Sequence, residues 1–169
     1  GGTVNQWKSM NTYDRNYHLA AAEIKCADGT VLPRGICGAD LTWEIDDNGT
    51  LIVSGTGEMY DYGFHEYRAL WSRHADSIKN VVIEAGVTSI GYDAFYGCSS
   101  LASVTIPDSV TSIGERAFYG CSSLASVTIP DSVTSIGGAA FADCSSLASV
   151  TIPDSVTNIG DYAFGGCSS

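Results

Sequence analysis

One stretch of this chain recurs without insertion. Leu101–Ser123, LASVTIPDSVTSIGERAFYGCSS, returns as Leu124–Ser146 and again as Leu147–Ser169. A degenerate copy, IKNVVIEAGVTSIGYDAFYGCSS, precedes them at Ile78–Ser100. Four units of 23 residues therefore fill 78–169, more than half of the 169 positions. A period of this length marks a stack of similar coils, in which no unit buries its apolar side alone.

Within a unit, apolar residues fall at positions 1, 4 and 6 (Leu101, Val104, Ile106), with Ser103 and Thr105 between them. That alternation predicts a half-buried strand. Pro107-Asp108 ends it, because proline has no N–H for a ladder and aspartate favours turns. Val110 and Ile113 form the next inward pair, and Gly114 permits a bend. Ala117, Phe118 and Cys121 complete the interior on an expected short helical or 3₁₀ turn. Stacked at strand spacing, Phe95, Phe118, Phe141 and Phe164 form an aromatic column and Ile90, Ile113, Ile136 and Ile159 an aliphatic one. These eight residues are the predicted structural core.

Composition narrows the partners. Eight Lys+Arg against nineteen Asp+Glu give a formal charge of −11, which repels phosphate backbones and anionic lipid. No apolar run approaches the roughly 20 residues of a membrane span. The expectation is no nucleic acid and no membrane insertion.

The motifs suggest no catalysis. His18, His65 and His74 share no paired spacing, and no nucleophile–base signature accompanies them. Cys98, Cys121, Cys144 and Cys167 stand 23 residues apart, unlike zinc ligands, which pair two to four residues apart. Stacked side chains pointing the same way suit a disulfide torsion badly, so these are read as reduced core thiols. Cys26 and Cys37 lie outside the repeats and could bridge in an oxidising space. The Asp108, Asp131 and Asp154 column is read as three solvated turn carboxylates. Catalytic residues, metal ligands and cofactors are expected to be none.

The spacing L-x-x-V-x-I-P-x-x-V-x-x-I-G-x-x-A-F-x-x-C resembles the BspA-like leucine-rich repeat family of bacterial surface and secreted proteins. Cys37–Lys79 also resembles the segment that precedes repeats in such proteins. The resemblance implies a mainly β fold, a short leucine-rich-repeat β-solenoid with an N-terminal β-hairpin cap. It also implies a place outside the cell or on its surface, and no catalytic residues to carry over. Leu41–Gly57 reads as the hairpin, turning at Asp46-Asp47-Asn48-Gly49. Glu58–His74, rich in aromatics, reads as a loop and short helix over the cap. The chain thus divides into a closing or docking segment (1–34), a β cap (35–77) and four repeats (78–169).

The expected function is a non-catalytic extracellular interaction or adhesion module. It would bind a protein or glycan through the outward side chains of the strands: Ser103, Thr105, Ser126, Thr128, Ser149 and Thr151. The alternative is a structural subunit that self-associates end to end into a filament. There the N-terminal segment, which resembles one that closes repeat stacks, would cap the last coil of the next molecule. A fragment of a longer protein would explain the same arrangement.

Overall fold

The computed structural model describes residues 24–25, 31–63 and 68–168. In chain order it forms β1 (Ile24–Lys25), β2 (Val31–Leu32), β3 (Arg34–Ile36), β4 (Gly38–Ile45) and β5 (Thr50–Met59), then a 3₁₀ helix at Leu70–His74. The repeats follow with β6 (Asn80–Ile83), β7 (Val87–Ile90), β8 (Ser103–Thr105), β9 (Ser112–Ile113), β10 (Ser126–Thr128), β11 (Ser135–Ile136), β12 (Ser149–Thr151) and β13 (Asn158–Ile159).

The hairpin is β4–β5. Asp46 Oδ1 accepts the N–H groups of Asn48 (2.9 Å) and Thr50 (2.8 Å), and Gly49 takes the left-handed φ of 79° that the turn needs. Leu41, Trp43, Ile45, Leu51 and Val53 alternate inward and are buried. The second arm also does the work of a coil. Residues 50–53 of β5 pair in parallel with β6, and Gly57–Glu58 pair with β7. The cap is thus continuous with the sheets of the solenoid.

Each coil then carries two short strands and a turn segment. Parallel ladders β7–β9, β9–β11 and β11–β13 join residues 23 apart, such as Ile90 with Ile113 and Ile113 with Ile136. On the first-strand side, β6 pairs with β8 and β10 with β12. Among the described residues no ladder joins β8 to β10, so this face is two paired halves in succession.

The turn segment differs from the expected helical turn. Arg116 (φ 51°) and Gly120 (φ 70°) are both left-handed, as are their counterparts in the other coils, and a left-handed residue interrupts a right-handed helix. The segment's amides instead donate to the following coil. Arg116, Phe118 and Gly120 N–H reach the carbonyls of Gly138 (2.9 Å), Ala140 (2.7 Å) and Ala142 (2.8 Å). Backbone groups with no partner inside the coil are satisfied between coils.

Gly114 has a different task from the expected bend. A Cβ there would lie 2.8 Å from Gly91 C in the preceding coil. Gly91, Gly137 and Gly160 meet similarly close backbone. This glycine column lets neighbouring coils touch.

The core runs the length of the stack. Phe95–Phe118 and Phe118–Phe141 have centroids 5.1 Å apart, and Phe141–Phe164 5.4 Å, with planes within 15° of parallel. Trp71, from the 3₁₀ helix, lies 5.7 Å from Phe95 and donates its Nε1–H to Ala94 O at 2.8 Å. It extends the aromatic column into the cap, where Trp43 and Tyr62 meet its edge. Ile90, Ile113 and Ile136 are buried, but Ile159 is 45% exposed. Its assignment to the core is corrected: it pairs with Ile136, yet among the described residues no coil covers its outer side. Phe164 is half-buried for the same reason.

The thiols at position 21 are free. Cys121 and Cys144 Sγ–H donate to Phe95 O (3.3 Å) and Phe118 O (3.2 Å) in the preceding coil. Cys167 does the same to Phe141 O at 3.3 Å while half-buried. Cys37 is free and fully buried; its proposed partner Cys26 lies outside the described residues, as does most of segment 1–34. Burial pushes the Cys37, Cys98 and Cys144 thiols up to about 12, and Cys121 well above its ordinary value.

Two predictions follow from this packing. Phe118→Ala should remove about 3–5 kcal/mol, and Gly114→Ala about 1–3 kcal/mol by overpacking, both read as lowered denaturation midpoints. For the thiols, a folded value above the unfolded one means stability is complete below about pH 9 and falls as pH rises toward the folded value, by up to about 1.4 kcal/mol per pH unit per thiol. Melting across that range should show the decline, and Cys98→Ala with Cys144→Ala should flatten it.

Candidate functional site

Two exposed surfaces run along the stack. The first is the strand face. Val104, Val127 and Val150 point in, so the residues on either side point out. Ser103, Thr105, Ser126, Thr128, Ser149 and Thr151 are all exposed. Ser126 stands opposite Ser149, and Thr128 opposite Thr151. Ser103 Oγ donates to Asn80 Oδ1 at 2.7 Å. The split between β8 and β10 sets Ser103 and Thr105 apart from the other four residues. Asp108, Asp131 and Asp154 are exposed where each strand ends. The following turns close through Val110, Val133 and Val156 N–H to the proline carbonyls at 3.0–3.1 Å.

The second surface is the turn segment. Asp93 and Arg116 occupy the same position in neighbouring coils and form a two-pronged ion pair, Nε–Oδ1 2.9 Å and Nη2–Oδ2 3.1 Å. Burial pushes the Asp93 carboxyl up, and the Arg116 guanidinium pulls against it. Tyr96 and Tyr119 stack at 5.1 Å with planes 5° apart. A hydrogen bond from the phenol to Asp143, with that carboxylate's charge, holds the Tyr119 hydroxyl above its ordinary pKa. Sequence reading did not pair Asp93 with Arg116. The signal was present, since opposite charges one period apart meet when coils stack in register.

The remaining chemistry is sparse. A notch lined by Arg68, Ala69, Trp71, Asp93 and Tyr96 offers about 10 Å³, room for one water at most and too little for an organic ligand. Among the described residues no three His, Cys, Asp or Glu side chains converge on a metal position. His74 lies at the end of the 3₁₀ helix; His18 and His65 lie outside the described residues. No helix of the described residues is long and apolar enough to cross a membrane. Of the aromatic stretch after the hairpin, Trp71 is core, and Phe64 and Tyr67 lie outside the described residues.

Comparison with known proteins gives a consistent picture of the fold. No curated protein matches the chain. A leucine-rich repeat protein from Eubacterium ventriosum aligns over 77% of the chain and 34% of its own length, at 28% identity and a TM-score of 0.62. The T. pallidum leucine-rich repeat protein aligns over 76% of the chain and 65% of its own, at 27% identity and 0.59. One from Bacteroides ovatus aligns over 70% and 34%, at 29% identity and 0.56. The chain therefore spans about a third of two of these relatives and just under two thirds of the other. The BspA type leucine-rich repeat region matches residues 72–169 in six copies. With the 23-residue period, the parallel ladders and the aromatic column already seen, that match assigns the chain to the BspA-type leucine-rich repeat family.

Proposed function

We propose that this chain is a non-catalytic interaction module, carried on or outside a bacterial cell, that adheres to a protein or glycan through its strand face. Family membership supports the interaction role and the bacterial surface. The observation that carries the reading is the exposed hydroxyl rows on β8, β10 and β12. Hydroxyls in register donate and accept hydrogen bonds at strand spacing, which suits a ligand that is itself polar and repetitive. The support beneath them is rigid, because strand residues are tied to the neighbouring coil by a ladder. A preorganised surface loses little conformational entropy on binding.

A panel of immobilised matrix proteins and glycans tests the proposal. The chain should bind at least one member saturably. Ser126→Glu with Thr128→Glu should weaken that binding by about tenfold or more, with the melting temperature unchanged because both side chains face water. Absence of saturable binding across the panel, or equal binding by the double variant, would refute the strand-face reading.

A further inference from the structure

Units 101–123, 124–146 and 147–169 agree at 18 of 23 positions. Four of the five differences lie in the turn segment, as the pair before Ala-Phe and the pair after it: Glu115-Arg116 and Tyr119-Gly120 become Gly138-Ala139 and Ala142-Asp143, then Asp161-Tyr162 and Gly165-Gly166. The fifth is Ser112, Ser135 and Asn158. Solvent exposure does not explain this confinement. Ala102, Ser103, Thr105, Asp108 and Thr111, with all their counterparts, are exposed and yet identical in the three units. Substitution tolerated merely because a residue meets water would have touched these positions too.

Backbone geometry sharpens the point. Asp93, Arg116, Ala139 and Tyr162 occupy one position and are all left-handed, with φ between 51° and 57°. Glycine would take that conformation at least cost. None of the four coils uses glycine there, and all four residues differ.

From this we infer that the turn segments form a second recognition surface, distinct from the strand face, which takes a protein surface rich in arginine and lysine. Its chemistry sets the partner. Glu115, Asp143 and Asp161 are exposed acids, and Tyr92 (50%) and Tyr162 (83%) are exposed aromatics. The one cation on these turns, Arg116, directs its Nε and Nη2 to Asp93. Carboxylates pair with guanidinium and ammonium groups, and tyrosine rings stack against guanidinium planes. Tyrosine and arginine are also the residue types that dominate protein interfaces energetically. A surface of this sign repels phosphate-bearing partners.

The test uses the full chain and a nona-arginine peptide, with binding followed by fluorescence polarisation at physiological salt. Two triple variants remove the same charge from different faces. Glu115→Gln, Asp143→Asn and Asp161→Asn together should weaken binding about tenfold, and Asp108→Asn, Asp131→Asn and Asp154→Asn together less than about twofold. Tyr162→Ala, at an exposed position, should weaken it about threefold. Circular dichroism melts establish that each variant folds. A ratio between the two triples below about threefold, or no saturable binding by the unmodified chain, overturns the inference. Ser126→Glu with Thr128→Glu should leave peptide binding unchanged, so failure of the strand-face reading is seen separately.

Discussion

The contact between one coil and the next, repeated in register every 23 residues, is the interaction on which the rest of this molecule depends. It has three parts that reinforce one another. Parallel ladders hold the strands, forward amide-to-carbonyl bonds hold the turn segments, and stacked phenylalanines fill the space between. The glycine column fixes how near the coils come. None of these contacts exists within a single unit, so the stability belongs to the interfaces between units. Buried aromatic area is the largest favourable contribution, and the polar ladder removes the penalty that burying bare backbone would bring.

Much of this was legible in the sequence, because periodicity and register are the same fact in two forms. The alternation Leu101, Val104, Ile106 and the recurring Phe and Cys named the inward side chains. Asp46-Asp47-Asn48-Gly49 named the hairpin turn, whose geometry is local. Other features were hidden because they arise from non-local backbone packing. Gly114 reads as a bend, and only the nearness of Gly91 reveals a spacing constraint. Ala117-Phe118 reads as helical, and only inter-coil hydrogen bonding explains why left-handed Arg116 and Gly120 are preferred. Ile159 repeats Ile136 in sequence but not in environment, since burial depends on what lies above a coil and not on its own residues.

Site residues were less legible than the core. Outward positions on a strand follow directly from alternation, so the hydroxyl rows could be written down at once. Which outward positions matter does not follow, because alternation treats all of them alike. The Asp93–Arg116 pair and the Tyr96–Tyr119 stack each require matching one unit against the next. That comparison also separates an unchanging strand face from a diversified turn face on the same scaffold. A repeat protein of this kind can keep its framework uniform and still differ from coil to coil where the backbone turns.

The placement of Trp71 has an optical consequence. The units from Ile78 onward contain no tryptophan, whereas Trp71 stacks on their first phenylalanine and Trp43 touches its edge. Indole emission therefore watches the junction between hairpin and solenoid. Fraying of the distal coils would leave it unchanged, while tyrosine signals from Tyr119 or Tyr162 would register the loss. One molecule thus carries two spectroscopic reporters at opposite ends of a single column, able to show whether the stack melts as a whole or unwinds from one side.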